Sequence, residues 1–368
     1  MRVVFGVDTY SRGDGISRVV DTTAIELKRL GHQVIVVCGK HDGRLNGTKI
    51  VAGYHQSLSQ SSIRKSAEIV KRCDPDFFYS HYYPMDIVGA IVMSEGVPHI
   101  MHWHGIAGLT IRKSPGSAIG WTRANAGAFI GCHKSAQVLS ISEFAADYLI
   151  NRFHLQESRI SVIGNPIDTE KFSPPEYPEK PHMCRKILSV AGITPIKGQL
   201  QLVKVAEKLR AMGKVFSMTI AGMVKPGGLE YFESIKAYIS NHHLEDVVTL
   251  TGTISEKDLI GLYKTCDIFA FGSSWESFGL PVAEAMACGK PVVGFDVASL
   301  PELVQDGITG FLVPRGNLDV FADRLEHLIA NPERCLKMGA RGRAEIVTRF
   351  SVKEYTNRLT DQIRDCLT

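Results

Sequence analysis

The stretch SSWESFGLPVAEAMACGKPVVGF, residues 273–295, places two carboxylates on either side of a Phe-Gly-Leu-Pro turn. On one continuous helix, Glu276 and Glu284 would lie about 12 Å apart, whereas retaining glycosidases hold their two carboxyls about 5–5.5 Å apart. Because proline is favoured in the first turn of a helix, Pro281 is expected to start one. The pattern therefore predicts a loop carrying Glu276 and a helix carrying Glu284, and it argues against a proton-shuttling pair.

Short apolar, strand-like runs alternate with helical segments on both sides of this stretch. The predicted strands are Val3–Val7, Val34–Cys38, Phe77–Tyr79, His99–His102, Val138–Ser140, Ile187–Val190, Met218–Ala221, Val248–Thr251, Ile268–Phe271, Val292–Phe295 and Phe311–Val313. Such alternation is typical of parallel sheets covered by helices on both faces. We therefore expect an α/β protein with two Rossmann-like, doubly wound domains that face each other across a cleft.

The domain boundary is expected at SPPEYPEKPHM, residues 173–183, which holds four prolines and no periodic pattern. This places one domain at 1–172 and the other at 184–350. In open parallel sheets, ligands bind beyond the carboxyl ends of the strands. The chemistry is therefore expected on loops that follow strands.

Composition and charge limit the classes of function. The chain is 44% hydrophobic and 22% charged, as in ordinary soluble globular proteins. It has no apolar run long enough to span a membrane and no apparent secretion signal, and its eight cysteines show no metal or redox spacing, so we expect a cytoplasmic protein. Residues 1–165 hold 18 Lys and Arg against 13 Asp and Glu, which suits a phosphorylated acceptor or peripheral contact with an inner membrane face rather than nucleic acid.

Several loops carry residues suited to anionic ligands. The backbone of Phe278, Gly279 and Leu280 offers N–H groups at a helix start, which is a natural cradle for a diphosphate. Lys197 follows a strand and opens a helix, where its ammonium is placed to meet phosphate. His102 and His104 flank Trp103 after a strand. Since the sequence shows no third ligand near this pair, we expect no metal site there.

The chain resembles a known family in these same regions. WESFGLPVAEAMACGKPVV, followed by SLPELVQDGITGFLV, closely resembles the signature of the family 4 retaining glycosyltransferases, which have the GT-B fold. The resemblance continues in GDGISRVV near the N-terminus, HWHG at 102–105, SISEFAADYL at 140–149, GNPIDTEKF at 164–172 and AGITPIKG at 191–198.

The resemblance implies roles for individual residues. Glu276 would lie beside the donor sugar with His104, Glu284 would hold the ribose hydroxyls, and backbone groups near Thr253 would contact the nucleobase. The implied catalytic residues are His104 and Glu276, and the implied donor-binding residues are Gly13, Gly15, Gly192, Lys197, Thr253, Ser277, Phe278, Gly279, Leu280 and Glu284. Where the family usually carries an arginine, this chain has Ile193 and Thr194, and the candidate substitutes are Lys225 and a cation of the first domain.

The implied function is transfer of a hexose from a UDP- or GDP-sugar to a hydroxyl of a glycan, lipid-linked or small-molecule acceptor. The anomeric configuration would be retained, and no metal or other cofactor would be required. A nucleotide-sugar epimerase of the same architecture and a non-catalytic sugar-nucleotide-binding subunit remain as alternatives. The resemblance also implies that the tail, residues 351–368, packs back on the first domain. Tyr355, Leu359 and Ile363 recur at i, i+4 spacing there and would form its buried stripe.

Overall fold

The computed structural model describes residues 1–10, 15–41, 49–52, 60–105, 115–175 and 184–367. The chain divides into two compact units. Unit 1 comprises Met1–Pro166 and Val352–Thr368, and unit 2 comprises Ile167–Ser351. Among the described helices, none is both long and apolar enough to cross a lipid bilayer.

Unit 1 is built on a sheet of seven parallel strands in the order β3-β2-β1-β4-β5-β6-β7. The strands are β1 (Arg2–Tyr10), β2 (Gln33–His41), β3 (Lys49–Ala52), β4 (Phe77–His81), β5 (His99–Trp103), β6 (Gln137–Ser140) and β7 (Ile160–Val162). The helices in this part of the chain are α1 (Gly15–Arg29), α2 (Gln60–Arg72), α3 (Met85–Ser94), α4 (Pro115–Lys134) and α5 (Glu143–Phe153).

Successive side chains of β1 pack alternately into two separate hydrophobic cores. Val3, Phe5 and Val7 pack in one apolar cluster, and Val4 packs in another on the opposite face of the sheet. All four side chains are at most 2% exposed. Burial on both faces explains why the strand reads as a continuous apolar run.

Unit 2 contains a sheet of six parallel strands in the order β10-β9-β8-β11-β12-β13. The strands are β8 (Lys186–Val190), β9 (Ser217–Ala221), β10 (Val248–Gly252), β11 (Ile268–Phe271), β12 (Val292–Phe295) and β13 (Gly310–Val313). The helices are α6 (Gln199–Ala211), α7 (Leu229–Asn241), α8 (Glu256–Thr265), α9 (Leu280–Ala287), α10 (Leu300–Leu303), α11 (Leu318–Ala330) and α12 (Pro332–Phe350).

The strand order of unit 2 is that of nucleotide-binding Rossmann domains, in which the first and fourth strands are neighbours. The chain direction across the sheet reverses between β8 and β11, and such a reversal opens a crevice at the carboxyl ends of the two strands. The loops that follow β8 and β11 are therefore the expected place for a ligand.

A last helix, α13 (Val352–Leu367), belongs to unit 1. Tyr355, Leu359 and Ile363 are 0% exposed and pack in the same cluster as Val3 and Phe5 of β1. The apolar stripe predicted from the i, i+4 spacing of these three residues is thus buried in the core of unit 1.

Residues 167–172 group with unit 2, although the sequence analysis assigned them to the first domain. The N–H of Ile167 donates to the carbonyl oxygen of Phe350 at 2.7 Å, and the ring of Phe172 meets Tyr263 edge-on. These contacts tie the segment to α12 and α8, so the change of unit comes before the proline-rich stretch. Residues 176–183 of that stretch lie outside the described residues.

Candidate active site

An ion pair joins the two loops at the reversal point of unit 2. Lys197 ends a short 3-10 turn after β8, and Glu276 lies on the loop between β11 and α9, as predicted. The Lys197 Nζ atom lies 2.7 Å from Glu276 Oε2. The two side chains are 28% and 15% exposed, so both can still be reached from solvent.

Backbone packing fixes the separation of these two loops. The N–H of Ser274 donates to the carbonyl oxygen of Ile196 at 2.8 Å. Gly198 has φ +67°, and a Cβ atom placed on it would lie 1.9 Å from the carbonyl oxygen of Gly272. Only glycine allows this approach without a shift of the backbone. Lys197, the residue before Gly198, is therefore held at a set distance from the Glu276 loop.

Glu276 is also anchored by its other neighbours. The N–H of Ser277 donates to Glu276 Oε1 at 3.1 Å. The hydroxyl of Ser299, which follows β12, donates to the carbonyl oxygen of Glu276 at 2.9 Å. Ser277 was predicted from its motif, whereas Ser299, which lies in the SLPEL segment of the quoted signature, was not.

Helix α9 begins beside this pair, as Pro281 predicted. Gly279 is its N-cap, with φ +98°, and the helix runs from Leu280 to Ala287. The ring of Phe278 is 4% exposed and packs edge-on against Phe350 at 5.3 Å between centroids. Phe278 can therefore offer a ligand its backbone but not its ring. The partial positive charge of the helix start lies within the same loop as Glu276.

Glu284 is buried inside α9, with 3% of its surface exposed. The hydroxyl of Tyr263, a fully buried residue of α8, donates to Glu284 Oε2 at 2.9 Å. A buried carboxylate requires such a partner, because its desolvation is otherwise costly. Tyr263 was missed in the sequence, where its ring is one more apolar position on an amphipathic helix.

The remaining predicted residues of unit 2 follow neighbouring strands at the same sheet edge. The aliphatic chain of Lys225 covers Gly192, where a Cβ atom would lie 2.9 Å from Lys225 Cε. The side chain of Gln199 donates to the carbonyl oxygen of Gly192 at 3.0 Å. Thr253 is exposed after β10. The N–H of Lys225 donates to the carbonyl oxygen of Ile193 at 3.4 Å, so Lys225 lies beside residues 193–194.

In unit 1, Gly13 lies outside the described residues, and Gly15 is the first residue of α1. His104 follows β5 directly and is partly exposed. Its Nε2 atom lies 2.9 Å from Nδ1 of His81, the last residue of β4. His102 is buried, and its Nδ1 atom lies 2.9 Å from the hydroxyl of Tyr79.

The expectation that no third ligand accompanies His102 and His104 is wrong. The parallel register places His81 directly beside His102. One nitrogen from each of the three imidazoles lies within 4.8 Å of the others. The sequence concealed this because His81 precedes the pair on a separate strand, and only the register brings them together.

Burial determines the charge of these histidines. Desolvation lowers the pKa of His81 and His102 well below the usual value for histidine, and it also lowers the pKa of His104. All three rings are therefore neutral at pH 7. His104 would act on a ligand as a neutral hydrogen-bonding group and not as a cation.

Comparisons with known proteins agree with this architecture. A family model described as "Glycosyltransferase Family 4" matches residues 13–171, and one described as "Glycosyl transferases group 1" matches residues 172–345. The chain belongs to this family of glycosyltransferases and has the GT-B fold.

Two curated relatives illustrate the range of the family. A D-inositol 3-phosphate glycosyltransferase of Saccharomonospora viridis is 28% identical over 79% of this chain and 70% of its own. An N-acetyl-alpha-D-glucosaminyl L-malate synthase of Bacillus anthracis is 24% identical over 99% of this chain and 98% of its own.

Two solved structures share the fold at 20% sequence identity. A glycosyltransferase from Rickettsia africae has a TM-score of 0.82 and covers 100% of this chain and 98% of its own. Anabaena Alr3699/HepE, solved in complex with UDP and glucose, also has a TM-score of 0.82, with 99% of each chain covered.

Proposed function

We propose that this protein transfers a hexose from a UDP- or GDP-sugar to an acceptor hydroxyl, with retention at the anomeric carbon. The observation that carries the proposal is the Lys197–Glu276 pair at the reversal point of unit 2, next to the start of α9. It brings one cation and one helix N-terminus to the place where this fold class binds nucleotides.

The leaving group is a nucleoside diphosphate, which needs its charge neutralised more than it needs a proton. Lys197 and the backbone N–H groups of residues 278–280 supply that neutralisation, and fixed dipoles of this kind stabilise developing charge without reorganisation. This role requires no divalent metal, so transfer should continue in the presence of EDTA. Loss of activity with EDTA that magnesium or manganese restores would contradict the proposal.

Glu276 is proposed to contact the donor sugar rather than to attack it. Its carboxylate is engaged by the Lys197 ammonium and the Ser277 N–H, and a carboxylate stabilised in this way is a weak nucleophile. Retention without a covalent intermediate on Glu276 is consistent with these contacts. His104 is assigned to the sugar as a neutral hydrogen-bonding group.

The acceptor is assigned only by class, as a hydroxyl of a glycan, a lipid-linked sugar or a small molecule. The relatives act on acceptors as different as D-inositol 3-phosphate and L-malate, to judge by their names. Peripheral contact between the basic first half and an anionic membrane would bring a lipid-linked acceptor within reach.

Calorimetry with UDP and GDP tests the diphosphate site. Lys197→Gln should weaken binding of the preferred nucleotide by about 1.5–3 kcal/mol, since a charge-assisted hydrogen bond is lost. Binding of the nucleoside, which has no phosphate, should not change. Lys208→Gln is the matched control, because Lys208 pairs with the exposed Asp319 in the same unit. Equal nucleotide affinity in wild type and Lys197→Gln would contradict the assignment.

The ribose assignment of Glu284 requires a different variant. Alanine would leave a cavity and remove the acceptor of the buried Tyr263 hydroxyl, so Glu284→Gln, which keeps an acceptor oxygen, is preferable. Wild type should lose affinity when the 2′-hydroxyl of the nucleotide is removed, and in Glu284→Gln this loss should shrink. The same loss in both proteins would show that Glu284 does not contact this hydroxyl.

A further inference from the structure

Unit 1 contains a cluster of side chains that could hold a ligand, the histidine cluster, formed by His81, His102 and His104. The ring centroid of His81 lies 5.1 Å from that of His102 and 5.2 Å from that of His104. The centroids of His102 and His104 lie 4.2 Å apart. The three imidazoles thus lie next to one another at the carboxyl ends of β4 and β5, with their ring centroids at the corners of a triangle.

This triangle is close to the size that a tetrahedral zinc ion requires. With Zn–N bonds of about 2.0–2.1 Å, three imidazole ligands place their nitrogens about 3.4 Å apart and their ring centroids about 5 Å apart. Two of the three centroid distances already have this value. The third needs to open by about 1 Å, and His104 can supply that movement because it lies past the end of β5 and is partly exposed.

The chemistry of the cluster also suits a transition metal. Imidazole favours zinc, copper and nickel over the oxygen-seeking ions magnesium and calcium. Among the described residues, the buried Nε2 atom of His81 has no hydrogen-bond partner, which is unusual for a polar atom in a protein core.

A second layer of side chains fixes the ring of His102. Its Nδ1 atom lies 2.9 Å from the Tyr79 hydroxyl, and that hydroxyl lies 3.1 Å from the hydroxyl of Tyr355 in α13. Metal-binding histidines are commonly oriented in this way through their second nitrogen. His102 is therefore set to present Nε2 as its ligand atom.

We propose that the histidine cluster binds a zinc ion through His81, His102 and His104, with the fourth position taken by a solvent molecule or an anion. The ion would engage His104, so zinc would inhibit sugar transfer rather than support it. That consequence for activity rests on the proposed function of His104, but zinc binding itself does not.

Metal binding is tested on the full chain, stripped of metal and without nucleotide or acceptor. Wild type should bind one equivalent of zinc tightly, and Co²⁺ in the same site should give the visible absorption of a tetrahedral centre. His104→Asn removes one of the three ligands. It should weaken zinc binding by more than about tenfold, because loss of a residue that only hydrogen-bonds a ligand already costs 10- to 100-fold in affinity. Tyr79→Phe keeps all three ligands and should weaken binding by about 10- to 100-fold.

A control variant tests whether zinc binds instead to exposed histidines at the surface. His242 and His243 are adjacent and exposed in unit 2, and the double variant His242→Gln/His243→Gln should bind zinc as wild type does. Equal zinc affinity in wild type, His104→Asn and Tyr79→Phe would overturn the proposal. Loss of tight binding in the double variant would overturn it too. In either case the three histidines hold no zinc ion, and His81 and His104 are joined by their hydrogen bond.

Activity forms a separate arm of the test. Zinc should inhibit transfer by wild type, and EDTA should restore it. Zinc bound at the cluster without inhibition would leave the metal site standing and count against the role of His104 in the donor site. The two proposals therefore fail on different measurements.

Discussion

At the residue scale, Glu276 and Lys197 are expected to have opposite effects on the affinity for a nucleoside diphosphate. The ammonium attracts phosphate, while the carboxylate 2.7 Å away competes for the same ammonium and repels the phosphate charge. Nucleotide affinity is therefore set by the pair and not by Lys197 alone. This follows if the site binds a nucleotide sugar as proposed.

Glu276→Gln should separate binding from catalysis. The amide no longer competes as a charge for Lys197, so nucleoside diphosphate affinity should stay the same or rise. Turnover should fall by at least about tenfold, since the carboxylate assigned to the donor sugar is gone. Calorimetry with the preferred diphosphate and a transfer or donor-hydrolysis assay check the two expectations. A parallel fall in affinity and turnover would show that Glu276 mainly supports binding.

The buried carboxyl group of Asp86, in α3, is expected to make the stability of the protein depend on pH. Asp86 is 1% exposed, and the Ser80 hydroxyl donates to its Oδ1 atom at 2.9 Å. The same hydroxyl lies 2.9 Å from Nε2 of the buried His99. Burial raises the pKa of Asp86 to about 7, although the hydrogen bond from Ser80 acts in the other direction.

Stability should therefore fall as pH rises across this range. A carboxyl whose folded pKa is raised favours folding most below its unfolded pKa of about 4, and that contribution is lost as pH rises to about 7. The shift corresponds to about 4 kcal/mol at most. Asp86→Asn keeps an acceptor for Ser80 and removes the titration. The difference in unfolding free energy between wild type and variant, measured with urea, should change across this window. A constant difference would refute the expectation.

At the element scale, the loop after β8 and the loop after β11 act as one unit. Their backbones meet at Gly198 and Gly272, and this contact positions Lys197 relative to Glu276. The geometry of the proposed site thus depends on the backbone contact of a glycine that has no side chain.

Gly198→Ala should push the two loops apart and weaken nucleotide binding. Gly213→Ala is the matched control, because Gly213 has a similar φ of +69°, but a Cβ atom added to it would meet none of the described residues within 4 Å. Both variants should lose about 1–2 kcal/mol of stability from the left-handed conformation. Only Gly198→Ala should lose affinity, as measured by calorimetry. If both variants bound the nucleotide equally well, the close contact would have no role in the site.

Elements that are long or strongly apolar were predictable from the sequence. The helix start predicted at Pro281 is confirmed. The strands β3 and β7, which form the two edges of the seven-stranded sheet, were missed. No residue of β7 is fully buried, so β7 lacks the continuous apolar run that reveals the four-residue strands β11 and β12.

The candidate site was predictable only in part, and for a physical reason. Loop position after a strand gave Lys197 and Glu276, but their direct pairing depends on loops brought together by tertiary packing. Tyr263 and His81 were missed for a related reason. In the sequence, both residues look like ordinary buried positions of a helix or a strand. Their polar contacts, from Tyr263 to Glu284 and from His81 to His104, reach residues on other elements.

At the scale of the whole molecule, unit 1 is discontinuous in the chain. Residues 167–351 form unit 2, and the chain then returns to unit 1 as α13. The core around β1 includes Tyr355, Leu359 and Ile363 of that helix. The stability of the first unit therefore depends on a segment that follows the second.

Leu359→Ala should destabilise unit 1 by about 2–5 kcal/mol, as is usual when a fully buried leucine is truncated. Leu336→Ala is the control, because Leu336 of α12 is 51% exposed and its truncation should change stability by no more than about 0.5 kcal/mol. Hydrogen exchange resolved by peptide should show faster exchange in β1 and β2 for Leu359→Ala. Faster exchange in unit 2 instead would contradict the assignment of α13 to unit 1.

The returning helix has a consequence for synthesis on the ribosome. Translation produces unit 2 in full before it produces α13, and domains generally fold as units while the nascent chain lengthens. Unit 2 can therefore fold while the core of unit 1 still lacks the side chains of its last helix. During that interval the apolar face around β1 remains open to chaperones, and the first unit to be translated is the second to be completed.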